Sequence, residues 1–345
     1  MQLKNLMSPT ELKEFLEKLI NSSLKKSIMI WGAPGIGKSS IVSSIAIKLN
    51  LEFIDLRLSQ LAPTDLRGLP VPIHTSEKEQ GTVKWYRPEF LPRDGKGILF
   101  LDEINMAPPA MQGVAQQLIL DRKMGNYEVP QGWFVFAAGN RKEDKASVFD
   151  MPAPLSNRFL HLFVETNFDC FKTYAFEKNI CEEIISFLSF RPNLLHKFSD
   201  HEMAWPSPRT WELASELYKI NLPIKSAVGD SVSLEFQSYL EVYGKIPDLK
   251  LIIEGKAKSI KFPDEISCKW ATLTGLITRC HKPNDVLMVF NWLFGNAGEE
   301  WIQLFISDIV DKFEKKKQLA NLSKILIKEK SIQKYMIRKN ELLKK

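Results

Sequence analysis

The chain has 345 residues, enough for about two domains, and its 44% apolar and 26% charged content excludes a disordered or fibrous protein. No apolar run approaches the roughly 18 residues of a membrane helix, and the N-terminal stretch lacks the apolar block of a signal peptide. Four cysteines without a CxxC pair and five histidines without metal-ligand spacing predict neither a disulfide framework nor a zinc site. We therefore expect a cytoplasmic protein.

The net charge of +6 is distributed unevenly along the chain. Residues 311–345, which we call the basic tail, contain 12 Lys or Arg and 4 Asp or Glu, a net charge of +8. The rest of the chain contains 35 basic and 37 acidic residues, a net charge of −2. The tail is either a solvated helix face or a patch for nucleic acid or an acidic partner.

The first half of the chain alternates between strand-like and helical patterns. It opens with an amphipathic helix, for which Ser8 is the cap, Pro9 the first helical residue and Glu11 the partner in a capping box. Such alternation predicts a parallel α/β sheet, and the pattern becomes almost wholly helical after residue 166. The predicted strands are 27–31, 52–56, 97–101, 133–138 and 160–164, with helices at 38–49, 108–122 and 152–158.

The segment WGAPGIGKSS, residues 31–40, follows the first strand and fits the pattern GxxxxGK[ST]. Its glycines let backbone amides approach phosphates, and the start of the following helix favours an anion. We expect Lys38 to reach the β- and γ-phosphates and the Ser39 hydroxyl to bind Mg²⁺. The predicted nucleotide-binding residues are Gly32, Ala33, Pro34, Gly35, Ile36, Gly37, Lys38, Ser39 and Ser40.

A second element, GILFLDEIN at residues 97–105, joins an apolar strand to two acids. We expect this strand to neighbour the phosphate-loop strand, with Asp102 as a Mg²⁺ ligand and Glu103 as the general base for the attacking water. Asn140 ends the run WFVFAAGN on a strand next to the Asp–Glu strand. An Asn there is often a turn former, but the two other elements favour a role in orienting water.

Two insertions interrupt the alternation. The longer one, residues 57–96, contains GLPVPIH and TVKWY on either side of the polar SEKEQG, which predicts a hairpin. Its Trp85, Tyr86 and Arg87 either grip a partner, stacking on single-stranded nucleic acid being one way, or pack the base of the hairpin. The shorter insertion is MGNYEVPQG, residues 124–132.

The series GAPGIGKS, LFLDEIN, AAGN, LSNRF and SPR, within residues 27–215, resembles the AAA+ ATPases and in particular their MoxR-like branch. DLRGLPVP and WYRPEFLP in the long insertion also resemble this branch. The resemblance implies a five-stranded P-loop core that binds ATP and Mg²⁺, a helical lid, and subunits in a homo-oligomeric ring, usually of six, with nucleotide between neighbours. The expected domains are a core at 1–166, a lid at 167–222 and a helical extension with the basic tail at 223–345.

The resemblance also implies roles for two arginines. Arg158 in LSNRF matches the arginine finger that reaches the neighbouring subunit's γ-phosphate, where it can be worth roughly 10³–10⁵ in rate. Arg209 in SPRTW matches the lid arginine that senses the phosphates of its own subunit. Relatives often carry a basic residue where this chain has Met106, which is a departure from the pattern of the branch. The long insertion resembles the branch's extra hairpin, which faces the central opening of the ring.

These features predict an ATP-driven motor that remodels a partner protein, and the resemblance implies that the partner carries a von Willebrand factor A domain. A nucleic-acid-linked motor of a restriction or phage-defence complex is the alternative, and the basic tail motivates it. A scaffold that binds ATP but barely hydrolyses it is a third hypothesis, which Glu103, Asn140 and Arg158 disfavour. In the helical extension, Trp270, Trp292 and Trp301 are expected in the core.

Overall fold

A computed structural model of the chain describes residues 6–73, 82–144, 148–199, 202–257, 259–315, 318–326, 329 and 332–333. The chain divides into two compact units, one ending at Asn167 and the other beginning at Phe168. Within the described ranges, no helix has both the length and the apolar character needed to cross a membrane. The division into core, lid and extension stays a prediction.

The first unit is an α/β structure. Its strands are β1 (Leu6–Met7), β2 (Ile28–Trp31), β3 (Glu52–Arg57), β4 (Leu69–Ile73), β5 (Thr82–Tyr86), β6 (Lys96–Asp102), β7 (Lys123–Met124), β8 (Tyr127–Glu128), β9 (Gly132–Gly139) and β10 (Leu160–Val164). Its helices are α1 (Pro9–Asn21), α2 (Lys38–Lys48), α3 (Pro63–Arg67), α4 (Pro109–Leu120) and α5 (Ala153–Ser156).

Six of these strands form one parallel sheet in the order β1–β10–β2–β9–β6–β3. All five predicted strands are present, which confirms the α/β fold, and the two-residue β1 adds a sixth strand at one edge. The sheet order corrects one expectation. The Asp–Glu strand β6 does not neighbour the phosphate-loop strand β2, because β9 lies between them.

The central strands are buried on both faces, which is why β6 and β9 are almost continuously apolar. Leu99 and Val135 pack on one face with α4, whereas Phe100 and Phe136 pack on the other with α1 and α2. Two hydrophobic layers therefore hold the sheet, and the carboxyl ends of its strands form one edge.

The predicted helix start near residue 8 is confirmed. The Glu11 amide donates to the Ser8 hydroxyl at 3.3 Å, and the Ser8 amide donates to the Glu11 carboxylate at 2.8 Å. These reciprocal bonds satisfy two amides that the helix leaves unpaired, and they set where α1 begins.

The long insertion forms the predicted hairpin, in which β4 and β5 pair antiparallel. The polar SEKEQG turn lies outside the described residues. Trp85 and Tyr86 are 41% and 53% exposed, so they do not pack a buried hairpin base. Arg87 instead turns back, and its guanidinium donates to the carbonyls of Leu91 and Pro92 at 3.4 and 3.3 Å. The shorter insertion carries the small hairpin β7–β8.

The second unit is helical in its described part, as expected. Its helices are α6 (Phe168–Glu177), α7 (Glu182–Phe190), α8 (Pro208–Lys219), α9 (Lys225–Val228), α10 (Asp230–Tyr243), α11 (Leu249–Ile253), α12 (Ile266–Arg279), α13 (Pro283–Asn296), α14 (Glu299–Lys315) and α15 (Leu319–Leu326). Trp292 and Trp301 are buried and Trp270 packs against the same cluster, which confirms the expectation for these three residues.

The first part of the basic tail belongs to the core of the second unit. Phe313 and Leu322 are fully buried there. Lys312 is also buried, and its ammonium donates to the carbonyls of Ile277, Thr278 and Cys280 at 2.7, 2.7 and 2.9 Å, at the end of α12. The basic tail is therefore not a solvated helix face throughout, because at least one of its cations, Lys312, is buried and hydrogen-bonded within the second unit.

Candidate nucleotide-binding site

The loop between β2 and α2 has a backbone that requires glycine. Gly35 and Gly37 have φ of +81° and +88°, a left-handed conformation that residues with a Cβ rarely adopt. A Cβ on Gly32 would lie 2.8 Å from the Val164 carbonyl oxygen, so the loop also passes too close to β10 for a side chain. The glycines let the loop turn sharply into α2, whose first amides face an incoming anion.

Lys38, the cation of this loop, is buried, with only 8% of its surface exposed. Its ammonium donates to the carbonyls of Gly32 and Ala33 at 2.8 and 3.1 Å and to the Asn140 side-chain oxygen at 2.9 Å. These acceptors hold the charge inside the loop at the end of β9. A phosphate group would offer the same ammonium stronger, negatively charged acceptors.

Ser39 at the start of α2 contacts Asp102 at the end of β6, although β2, which leads into α2, does not neighbour β6. The Ser39 hydroxyl donates to one Asp102 carboxylate oxygen at 2.7 Å, and the Glu103 amide donates to the other at 2.8 Å. The Gly32 amide bonds the Gly139 carbonyl at the end of β9 at 3.3 Å, and the start of α2 passes beyond it to β6 through Ser39. A hydroxyl beside a carboxylate is a donor set that fits Mg²⁺, which prefers oxygen ligands.

Glu103 has a strained backbone and a partner that the sequence analysis does not find. Its φ of +57° is uncommon for a residue other than glycine, and such strain clusters at functional sites. The Ser59 hydroxyl donates a short hydrogen bond to its carboxylate. Ser59 follows β3, and only the pairing of β3 with β6 brings it to Glu103. No local sequence signal marks it.

Asn140 is held by a second buried residue that the sequence analysis leaves without a role. Asn105 is 3% exposed, and its amide group donates to the Asn140 carbonyl at 2.7 Å and accepts from the Asn140 amide at 3.2 Å. The side chain of Asn140 bridges Lys38 and the Met106 sulfur, at 2.9 and 3.2 Å. Met106 thus fills its position with a weak acceptor. The sequence signal for Asn105 is its position three residues after the last residue of an apolar strand, in the same DEIN segment as the two acids.

The acids at this edge affect one another. Partial removal from water raises the pKa of the Asp55 carboxyl on β3, and the negative charges of Asp102 and Glu103 raise it further, against the opposing charge of Arg57. Asp55 nevertheless keeps an exposed surface. The concentration of negative charge at the ends of β3 and β6 favours a cation there.

The two predicted arginines lie in different units. Arg158 is exposed, in the turn between α5 and β10 of the first unit. Arg209 is exposed in the first turn of α8 in the second unit, just after the cap residue Ser207. The structure therefore brings together Lys38, Ser39, Asp102, Glu103 and Asn140, and the roles of both arginines stay predictions.

Comparison with known proteins agrees with this geometry. Residues 28–164 match the family described as ATPase family associated with various cellular activities (AAA). Midasin of Dictyostelium discoideum is 27% identical over 174 residues, and midasin of Giardia intestinalis 25% over 167 residues. These matches cover 47% and 46% of this chain but only 3% of either relative.

Solved structures show distant similarity. NtrX of Brucella abortus in complex with ADP is 13% identical, with a TM-score of 0.41 over 94% of this chain and 70% of that chain. RuvB of Thermotoga maritima is 17% identical, with a TM-score of 0.39 over 71% and 74%. The family match over residues 28–164 and the phosphate loop within it assign an AAA-type ATPase domain to the first unit.

Proposed function

We propose that this chain is the ATP-hydrolysing subunit of a ring-shaped, MoxR-like motor that remodels a partner protein. The observation that carries the proposal is the meeting of Lys38, Ser39, Asp102, Glu103 and Asn140 at one edge of the sheet. They supply a cation for the phosphates, oxygen ligands, a base and a polar group for water. Phosphoryl transfer to water needs these parts.

Each residue has a task in this mechanism. The loop amides and Lys38 bind the β- and γ-phosphates, Glu103 accepts the proton of the attacking water, and Asn140 orients that water. Ser39 and Asp102 would hold Mg²⁺, which neutralises charge on the phosphate oxygens. Because Ser39 now donates to Asp102 and Lys38 to loop carbonyls, binding must exchange these contacts for contacts with the nucleotide.

Arg158 acts between subunits in this proposal. Its exposed position suits a side chain that leaves its own subunit and reaches the neighbour's γ-phosphate. Arg209 senses the phosphates from the helical part of the chain. Nucleotide then joins neighbouring subunits, and hydrolysis loosens the joint.

The partner that we propose is a protein with a von Willebrand factor A domain, and the MoxR-like motifs support it. The β4–β5 hairpin is the proposed contact with the remodelled protein in the central opening. It exposes Leu69, Val83 and Tyr86 by 65%, 54% and 53%, together with Trp85. Apolar side chains exposed together on a hairpin favour contact with another protein.

The intersubunit mechanism is tested with Arg158→Ala. We expect this variant to bind ATP as the unchanged chain does and to lose turnover by the roughly 10³–10⁵-fold typical of an arginine finger. Light scattering with and without ATP measures ring formation. Normal turnover in the variant would remove the intersubunit role of Arg158.

The partner is tested with Glu103→Gln, which binds ATP but hydrolyses it poorly and so holds the substrate-bound state. Lys38→Ala, which cannot hold the phosphates, is the matched control. Pull-downs are made with ATP, with and without nuclease, and the retained proteins are identified by mass spectrometry. Nuclease-resistant retention of a von Willebrand factor A protein on Glu103→Gln alone supports the proposal. Retention that requires DNA contradicts it.

The charge of the basic tail favours a second candidate, a nucleic-acid-linked motor. Because Phe313 and Leu322 are core residues, the informative truncation removes residues 334–345 only, which carry five Lys or Arg and one Asp or Glu. DNA binding that falls steeply with salt and disappears in this truncation would favour the second candidate, since phosphate contacts release counterions. Equally weak DNA binding by the full chain and the truncated chain would exclude residues 334–345 as the DNA-binding segment.

A further inference from the structure

His161 on β10 contacts two functional segments of the first unit. On one side, the Trp31 indole nitrogen lies 2.8 Å from His161 Nδ1. On the other, His161 Nε2 lies 2.8 Å from the carbonyl oxygen of Ser156. Trp31 immediately precedes Gly32 of the phosphate loop, and Ser156 begins the turn that carries Arg158.

The two neighbours fix the protonation of the imidazole. An indole N–H can only donate, so Nδ1 must present its lone pair to Trp31. A carbonyl oxygen can only accept, so Nε2 must carry the proton that it donates to Ser156. His161 is therefore the neutral Nε2–H tautomer, and both ring nitrogens are engaged within the protein.

The bond to Ser156 closes the turn from which Arg158 projects. The Ser156 carbonyl also accepts from the Phe159 amide, but at the longer distance of 3.3 Å. After the Asn157 amide, which bonds the Ala153 carbonyl at 3.0 Å, the turn is held by this longer bond, by the 3.2 Å bond from the Arg158 amide to Leu155 and by the bond from His161. Arg158 is exposed, so the backbone of its turn sets where the side chain leaves the surface.

Neighbouring aromatic rings fix the orientation of the His161 ring in addition to its tautomer. Trp31 and His161 lie with ring centroids 6.0 Å apart and planes only 16° apart, and Phe159 packs edge-on against His161 at 6.2 Å. Parallel pairing of β2 and β10 places Met29 opposite His161 and Trp31 opposite Phe163, so the contact follows from the sheet register. A continuous path of bonds thus joins the entry of the phosphate loop to the Arg158 turn.

We infer that His161 is a positioning residue for Arg158, and that Trp31 orients it by fixing its tautomer and ring plane. The inference rests on the proposed function, because it assumes that Arg158 acts on a neighbouring subunit's nucleotide. A shift of β2 where the phosphate loop begins is then transmitted through His161 to the arginine that the same subunit offers to its neighbour.

The test uses His161→Phe, which keeps an aromatic ring between Trp31 and Phe159 but removes both hydrogen bonds. We expect kcat to fall about tenfold or more, within the roughly 10³–10⁵-fold effect of the finger itself, while ATP affinity changes by less than about twofold. His161→Gln, whose amide can still donate to Ser156, is expected to recover part of the rate. Urea unfolding of each variant measures any loss of stability.

A double-mutant cycle with Arg158→Ala separates positioning from a general structural role. If His161 acts through Arg158, adding His161→Phe to Arg158→Ala leaves the single-turnover rate, measured with excess enzyme, unchanged. An equal further fall in that background would overturn the inference, as would normal kcat in His161→Phe alone. If Arg158→Ala itself turns over normally, the proposed finger fails and the inference with it. If Arg158→Ala turns over slowly but His161→Phe turns over normally, the inference about His161 fails and the proposed role of Arg158 stands.

Discussion

The side chain of Asn105 pairs with the backbone of Asn140 through two hydrogen bonds, of 2.7 Å to its carbonyl and 3.2 Å from its amide. Both residues are buried, so water cannot replace these bonds. The Asn140 side chain in turn accepts from Lys38. Asn105 therefore fixes the residue that we propose to orient the attacking water.

Replacing Asn105 by Ala tests this relationship. The change leaves the Asn140 amide and carbonyl without partners, and an unsatisfied buried polar group costs about 1–3 kcal/mol. We expect a loss of stability in this range by urea unfolding, and a fall of about tenfold or more in turnover because Asn140 moves away from Lys38. The control is Asn193→Ala at an exposed site, expected to stay within about 0.5 kcal/mol. Equal stability of both variants would contradict the prediction.

Ser59 restrains Glu103 through its short hydrogen bond. The bond engages one oxygen of the charged carboxylate and weakens when that carboxylate takes a proton from water, and a hydrogen bond to a charged group is worth roughly 1.5–3 kcal/mol. Ser59→Ala is therefore expected to raise kcat at saturating ATP by about three- to tenfold, a part of that energy. Ser59→Thr keeps the hydroxyl and should resemble the unchanged chain. A slower Ser59→Ala would show that the bond positions Glu103 for catalysis instead.

Features of the fold and site with a local cause could be predicted from the sequence. The strands are apolar runs, the phosphate loop needs glycines and a lysine in fixed order, and the first helix begins at a capping box. Asp102, Glu103 and Asn140 could be placed at one edge because each lies at or just after the end of a buried strand.

The remaining contacts depend on which strands are neighbours. Because β9 lies between β2 and β6, Asn140 at the end of β9 contacts both Asn105 and Lys38. No local sequence pattern specifies this strand order. Ser59 meets Glu103 only because β3 pairs with β6. The burial of the first part of the basic tail could not be predicted for a different reason. Its lysines hide the apolar spacing of Phe313 and Leu322, whose burial depends on other helices.

Gly139 is required by the same contact between Asn105 and Asn140. A Cβ at this position would lie 2.5 Å from the Asn105 side-chain oxygen and 2.7 Å from the Met29 methyl group. Gly139→Ala should therefore cost about 1–3 kcal/mol through overpacking and also lower turnover. Gly113→Ala is the matched control, because nothing lies within 4 Å of a Cβ there on α4, and it should stabilise the chain by roughly 0.5–1 kcal/mol. Chemical unfolding of both variants decides, and equal effects would contradict the prediction.

Lys172 on α6 and Asp308 on α14 form an ion pair inside the second unit, with 5% and 12% of their side chains exposed. Burial raises the pKa of the Asp308 carboxyl even though the charge of Lys172 opposes it. The cost of removing these charges from water is therefore a large part of the balance. Neither residue belongs to the proposed catalytic machinery, so the pair reports on stability.

Removing one charge should be worse than removing both. Asp308→Leu leaves the Lys172 ammonium buried without its partner, and breaking a buried pair in this way typically costs about 3–5 kcal/mol. The double variant Lys172→Met with Asp308→Leu replaces the pair by apolar side chains, so we expect it to recover most or all of that loss. Urea unfolding of the two single variants and the double variant measures the coupling. A double variant as unstable as the sum of the single variants would mean that the two charges act independently, and that packing at each site, rather than their pairing, sets the cost.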